Sequence, residues 1–212
     1  MEVRVDRRRL LAALGLLLVA CPARGGDDDD SDDDDATGDD DDLPPYDPGC
    51  LPHGDNPTHP PQQARVSRLY DGDTGDFVLI DDNAHADVRF LSIDTPEIRH
   101  GSEPAECWGP QAQTAAEELL PEGTMVWLTH GPEYQDGFGR VLAYIFVGER
   151  PSCTDYDDWV NYQLVLSGNA CEFNYDNNPS QQARFSDAES QARDAELGLW
   201  GRCDDAQWLC GW

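Results

Sequence analysis

From residue 65 onward, short apolar runs alternate with polar turn clusters, and the spacing of the runs sets the elements. Val66 to Tyr70 reads as a strand, Asp71-Gly72-Asp73 as a turn, and Phe77 to Ile80 as the returning strand. Asp81-Asp82-Asn83 is the next turn signal, and Val88 to Ile93 forms a third strand with Val88, Phe90 and Ser92 on one face. These three runs predict a tight antiparallel meander. Pro110 fits the first position of a helix that continues through Gln111 to Leu120, with Ala112, Ala116 and Leu119 as its apolar stripe. Pro121-Glu122-Gly123 stops it. Met125 to Leu128 is a fourth strand, and Arg140 to Val147, rich in aromatic and β-branched residues, a fifth. Trp159 to Ser167 predicts a second helix ended by Gly168. Ser180 to Leu197 predicts a third, with Phe185, Ala188, Ala192 and Ala195 facing inward and Gly198 beyond its end.

Three strands, a helix, two strands and two helices predict an α+β fold that is mainly β: a five-stranded OB-fold barrel with about three packed helices. This body spans residues 65–212. The hydropathy upstream has a different character. Arg4, Arg7, Arg8 and Arg9 precede an apolar run from Leu10 to Ala20, too short to span a bilayer and right for a secretory segment over residues 1–20. The run ends Leu18-Val19-Ala20-Cys21, which is similar to a bacterial lipobox in which Cys21 is acylated. That predicts an exported, membrane-anchored lipoprotein on the periplasmic or cell-surface side, with the outer membrane as one candidate location. An ordinary signal peptide that carries a Cys is the alternative. The arginines ahead of Leu10-Leu11 also permit twin-arginine export.

Composition changes the picture in two ways. Among 212 residues there are 43 acidic and 14 basic ones, a formal net charge of -29, and every basic residue is Arg. This excludes a uniformly cationic nucleic-acid binder, so any phosphate chemistry must come from a few placed residues. Much of the excess lies in residues 25–42, where three runs of four Asp are broken by Ser31 and by Ala36-Thr37-Gly38. With the Pro-rich stretch that follows, residues 21–64 read as a self-repelling tether without a core. A calcium-binding Asp cluster is the alternative, but the run lacks the alternating ligands and terminal Glu of an EF-hand. His53 and His59 fall in this stretch near Cys50 and read as loose loop histidines, with a metal site as the alternative. Six cysteines follow Cys21: Cys50, Cys107, Cys153, Cys171, Cys203 and Cys210. An even number in an exported chain implies disulfides. Cys203 with Cys210 and Cys153 with Cys171 are candidate pairs, which sequence alone does not fix.

Three segments carry the chemistry: Asp71-Gly72-Asp73-Thr74, then Arg89 to Glu97 ending Asp94-Thr95-Pro96-Glu97, then Asp136-Gly137-Phe138-Gly139-Arg140. Asp73 and Asp94 are hard oxygen ligands suited to Ca²⁺, although Asp73 within Asp-Gly-Asp also reads as an ordinary turn residue. Arg89 and Arg140 present planar forks that grip phosphate oxygens in pairs. These three motifs, in this order, resemble the thermonuclease (staphylococcal-nuclease-like) family. Trp108-Gly109-Pro110-Gln111-Ala112, Val141-Leu142-Ala143-Tyr144-Ile145, Val160-Asn161 and Leu199-Trp200 extend the resemblance across residues 65–202. It implies Ca²⁺ held by Asp73, Asp94 and the Thr95 carbonyl. It implies Arg89 and Arg140 on the phosphate, Glu97 as general base, and hydrolysis of DNA and/or RNA to 3′-phosphate ends.

Some residues depart from the family pattern. Gly137 and Phe138 stand where a familiar member has Lys and Tyr, so Phe138 keeps the ring and loses a hydroxyl. Phe173 and Tyr175 have the spacing of a base-stacking pair, with ordinary packing as the alternative. The segment from Gly148 to Asp158 is longer than expected, and residues 65–212 hold 27 acids against 9 Arg where most of the family is basic. The sequence therefore predicts a monomeric, lipid-anchored, Ca²⁺-dependent nuclease that meets the membrane through its lipid alone. A catalytically silent OB-fold nucleic-acid-binding module and a structural surface lipoprotein are the competing readings.

Overall fold

The computed structural model describes residues 56, 58–99, 101, 104–148, 157–173 and 181–210. Strands β1 (Gln62–Leu69), β2 (Thr74–Leu79) and β3 (His85–Phe90) form the expected antiparallel meander. Two more strands, β5 (Met125–Thr129) and β6 (Val141–Val147), close it into a barrel of order β1-β2-β3-β6-β5. Closure comes from β6 running parallel to β3, with Arg89 opposite Leu142, while β5 pairs antiparallel with β1 and β6. The register of β1 against β2 slips between Val66 and Arg68, the kind of irregularity that bends a strand around a barrel corner. The expected α+β, mainly β, five-stranded OB-fold barrel is therefore the fold.

Its interior is built by period-two alternation. Ala64 and Val66 of β1 point inward, and so do Phe77, Val88 and Phe90. Strand β6 is buried on both faces, because one face fills the barrel and the other carries helices. Helix α1 (Gly109–Leu119) buries Ala112 and Ala116, with Leu119 half-buried. Helices α2 (Val160–Leu166) and α3 (Gln182–Asp194) pack on β6 through an aromatic cluster. Trp159 lies edge-on to Tyr144 and to Phe185, each 5.1 Å away between ring centres. Asn161, fully buried, joins three segments: its Oδ1 accepts the Ile145 N–H at 2.8 Å and its Nδ2 donates to Leu91 O at 2.9 Å. No helix among the described residues is long and apolar enough to cross a membrane.

Several expectations need correction. The first strand opens at Gln62, ahead of Arg65, and Asn56 upstream is buried with its Nδ2 on Gly131 O at 2.8 Å. His59 is not a loose loop side chain: its ring stacks on Tyr134 with centres 3.8 Å apart. Ala195 is exposed, because α3 ends at Asp194 and the chain turns away through a left-handed Glu196. Short elements that pattern does not reveal are β4 (Ile93–Asp94), paired with β7 (Cys171–Glu172), and α4 (Ala206–Leu209). Among the described residues, disulfides join Cys107 to Cys203 and Cys171 to Cys210, not Cys203 to Cys210 or Cys153 to Cys171. The reason is positional: the tail carries Cys203 to the start of α1 and Cys210 to β7, so the two tail cysteines serve different partners. Cys21, Cys50, Cys153, His53 and Tyr175 lie outside the described residues.

Candidate active site

The turn between β1 and β2 is fixed by its own first residue. Asp71 Oδ1 accepts the N–H groups of Asp73 at 3.0 Å and Thr74 at 2.6 Å, an Asx arrangement that holds the residues two and three positions on in place. A Cβ on Gly72 would come within 2.8 Å of the Thr95 side chain, so the glycine lets the second motif pack against the first. Asp73 is buried between them. Its Oδ2 accepts the Thr95 N–H at 2.7 Å and the Thr95 hydroxyl at 3.0 Å, and its Oδ1 accepts the Thr74 hydroxyl at 3.0 Å.

Pairing of β2 with β3 sets Thr74 opposite Arg89, and Phe90 N–H donates to Asp73 O at 2.8 Å. After Phe90 the chain reverses through Ser92, which is left-handed (φ 62°), into β4. Arg89 fills the inside of this reversal. Nη1 donates to Phe90 O and Ile93 O, both at 2.8 Å, and Nη2 to Asp94 Oδ1 at 2.8 Å. Nε lies 3.4 Å from Asp73 Oδ1. Asp73, Arg89, Asp94 and Thr95 thus form one connected cluster, drawn from two motifs about twenty residues apart.

The cluster is strongly acidic. Burial pushes the Asp94 carboxyl up to about 6, against the pull of Arg89 and with added repulsion from Asp73, Glu97 and Glu106. Asp71 is likewise pushed up to about 6, first by burial and then by Asp73, against the two backbone N–H groups it accepts. Asp71 and Glu106 are site residues that sequence reasoning missed, although Asp71 opens the first motif. Crowded hard oxygens that resist ionising are a setting a cation would relieve. The donor set therefore fits a Ca²⁺ held by Asp73, Asp94 and the Thr95 carbonyl. Two other groups of potential ligands, Cys107-Cys203-Asp205 and Cys171-Glu189-Cys210, contain disulfide sulfurs, which are not thiolate ligands.

Glu97 is exposed just beyond the buried Thr95 and Pro96. Its backbone is gripped at both ends: its N–H donates to Glu106 Oε2 at 2.8 Å, and its carbonyl accepts the Glu106 N–H at 2.9 Å. A Cβ on Gly109 would meet Glu97 O at 2.2 Å, so the start of α1 lies directly against this residue.

Arg140 stands at the head of β6, the strand whose Leu142 faces Arg89. Its Nε donates to Asp136 Oδ2 at 2.7 Å and its N–H to Asp136 Oδ1 at 3.0 Å. Burial would raise the Asp136 carboxyl, but Arg140 and the Phe138 N–H outweigh it and leave it below its ordinary value. Phe138 is 89 % exposed, with the Arg140 guanidinium 5.5 Å from its ring centre. Phe173 is 43 % exposed and its N–H donates to Ser92 O at 3.0 Å, which sets it beside β4.

Sequence comparison agrees with this architecture. Residues 87–202 match the family described as Staphylococcal nuclease homologue. The thermonuclease of Staphylococcus intermedius is 30% identical over 138 residues, which cover 65% of this chain and 75% of that protein. The thermonuclease of Staphylococcus hyicus is 28% identical over 140 residues, covering 66% and 76%. Endonuclease YncB of Bacillus subtilis is 26% identical over 138 residues, covering 65% and 61%. With a closed five-stranded barrel, three motifs in order and a match over more than half its length, the chain belongs to the staphylococcal nuclease homologue family.

Proposed function

We propose that this protein is a Ca²⁺-dependent nuclease that hydrolyses phosphodiester bonds of DNA and/or RNA outside the cytoplasm, anchored by a lipid on Cys21. The observation that carries the reading is the joined cluster of Asp73, Arg89, Asp94 and Thr95, with Glu97 directly beyond it. Ca²⁺, when bound by Asp73, Asp94 and the Thr95 carbonyl, supplies positive charge against the phosphate oxygens. Arg89 and Arg140 donate hydrogen bonds to those oxygens as negative charge grows on them. Glu97, exposed to solvent, orients a water and accepts its proton. The water oxygen attacks phosphorus, the bond from phosphorus to the 5′-oxygen breaks, the 5′-oxygen takes up a proton from solvent and leaves as a 5′-hydroxyl, and the other strand end carries a 3′-phosphate. Phe138 and Phe173 offer exposed faces on which a base can stack.

The secretory run, the Cys21 motif and two disulfides support an oxidising location beyond the cytoplasmic membrane. The test compares wild type with Glu97→Gln on single-stranded DNA and on RNA, with Ca²⁺ and with chelator. Ca²⁺-dependent cleavage that drops by orders of magnitude in the variant is the expected result. Folded wild type that binds Ca²⁺ and nucleic acid but cuts neither polymer would instead establish a silent binding module. For the anchor, Cys21→Ser is expected to move the protein from the membrane fraction to the soluble fraction.

A further inference from the structure

The two disulfides among the described residues share one property that packing alone does not require. One ends on the strand partner of a candidate functional carboxylate, the other on the residue next to the partner of a second, and both start from the same tail. Asp94 in β4 is the backbone partner of Cys171 in β7, and Cys171 is bonded to Cys210. Glu97 is held by Glu106, and the next residue, Cys107, is bonded to Cys203. Trp108 follows in a left-handed conformation (φ 73°), with its indole N–H on Asn169 Oδ1 at 2.8 Å, and Gly109 then touches the Glu97 carbonyl.

We propose that the tail from Cys203 to Cys210, acting through its two disulfides and Glu106, is a positioning brace that fixes Asp94 and Glu97 relative to each other. The inference rests on the nuclease reading above. Its physical basis is that the site's acids repel one another while little regular structure restrains them. β4 is two residues long and, among the described residues, pairs only with the equally short β7. Glu97 lies outside any strand or helix. Left to itself, an acidic cluster on such segments spreads. The barrel holds Asp73 and Arg89 from one side, and the tail holds Asp94 and Glu97 from the other. Glu106 is a positioning residue on this account: its own carboxylate is occupied by the Glu97 N–H. The requirement is chemical as well as structural, since a displacement of the order of 1 Å at a reacting group costs about 100-fold in rate.

The test uses the full chain with four changes: Cys107→Ser/Cys203→Ser, Cys171→Ser/Cys210→Ser, Glu106→Ala and Glu106→Gln. kcat, KM and the Ca²⁺ concentration for half-maximal rate are measured where circular dichroism shows every variant folded. Val66→Ala, a truncation in the barrel core, controls for lost stability. Loss of the Cys107–Cys203 bond and Glu106→Ala are each expected to lower kcat at least about tenfold with KM within about threefold. Glu106→Gln, which keeps an oxygen for the Glu97 N–H, recovers most of the loss, and Val66→Ala keeps wild-type kcat. Loss of the Cys171–Cys210 bond raises the Ca²⁺ requirement several-fold. If wild type cleaves but the Cys107/Cys203 pair and Glu106→Ala stay within twofold in kcat, the brace is overturned and the nuclease reading stands. Glu106→Gln behaving as Glu106→Ala, or Val66→Ala losing as much kcat as the brace variants, also overturns it. If the Cys107/Cys203 pair fails to fold, the two substitutions at the exposed Glu106 decide the matter. Wild type that cuts nothing removes the nuclease reading and the brace together.

Discussion

Arg89→Lys tests whether the buried guanidinium organises the site or only waits for substrate. Arg89 is 7 % exposed in its side chain and donates to two main-chain carbonyls and to Asp94, with Asp73 3.4 Å from Nε. A lysine ammonium keeps the charge but cannot reproduce a planar fork that serves Phe90 O, Ile93 O and Asp94 together. A hydrogen bond from a charged donor contributes about 1.5–3 kcal/mol, and leaving a buried acceptor unmet costs about 1–3 kcal/mol. With one of the three short bonds retained, the expected loss of stability is about 2–4 kcal/mol. That is a large share of a typical total of roughly 5–15 kcal/mol. At a urea slope of about 2 kcal/mol/M, the unfolding midpoint falls by roughly 1–2 M. Arg140→Lys is the comparison: Arg140 is half-buried and its Nε pairs with Asp136 at a solvent-accessible site, so its loss of stability is expected to stay under about 1 kcal/mol. Both variants are expected to lose activity, but only Arg89→Lys to lose the fold's margin. Urea titration of the two proteins beside wild type decides it. Equal midpoints for both variants, within the error of the titration, would refute the view that Arg89 holds the reversal from β3 into β4.

Asn161→Ala removes the link among α2, β6 and the Leu91 carbonyl, orphaning the Ile145 N–H and Leu91 O. At about 1–3 kcal/mol for each stranded group, a loss near 4 kcal/mol is expected in urea titration, and one under about 1 kcal/mol would show that water replaces the amide. Glu189 is buried in α3, and burial, with repulsion from Glu172, raises its carboxyl above 4.5 despite the Glu172 N–H and Arg193. A folded-state value above the unfolded one means that ionisation costs stability, in full above the folded value and not at all well below 4.5. Glu189→Gln should therefore melt higher than wild type at pH 7.5, with the advantage gone by about pH 4; an equal difference at both pH values contradicts this. With 27 acids against 9 Arg over residues 65–212, long-range repulsion of DNA predicts that kcat/KM at fixed Ca²⁺ is flat or rises from low to moderate salt. A steep fall with added salt would point to a local cationic path that overrides the net charge.

The barrel was legible because its signals are local. Turn residues such as Asp71-Gly72 and Asp82-Asn83 punctuate β-branched runs, and those runs became β2, β3, β5 and β6. The motif residues Asp73, Arg89, Asp94 and Thr95 were legible as types but not as a bonded set. Their contact depends on the register that puts Thr74 opposite Arg89 and on a left-handed Ser92, neither of which a hydrophobic pattern encodes. The short β4–β7 ladder was hidden because two-residue strands have no period. Glu106 was hidden because its role lies in one carboxylate meeting one amide across nine residues. The disulfides were misread for a related reason. Nearness in sequence favoured Cys203 with Cys210, but the 3₁₀ turn at Gly198–Gly201 and α4 direct the two cysteines to separate partners.

The acidity of the molecule bears on how its arginines can work. Arg89 is already held by Asp94 and main-chain carbonyls, and Arg140 by Asp136. On the proposed reading each fork would meet a phosphate as half of a pair, and the net charge of such a pair seen from beyond a Debye length of about 8–10 Å is small. Asp71, Asp73, Asp94, Glu97 and Glu106 add negative charge around the buried Arg89 guanidinium. Such a site gains little from steering a polyanion at a distance. What it gains is local: planar donors held in fixed directions contribute only once the phosphate has arrived, when direction matters more than net charge. On the nuclease reading, such a design gives up long-range capture and depends on geometry. This is consistent with the number of its bonds, from the Asx turn at Asp71 to the disulfide at Cys107, that hold the site's residues in place.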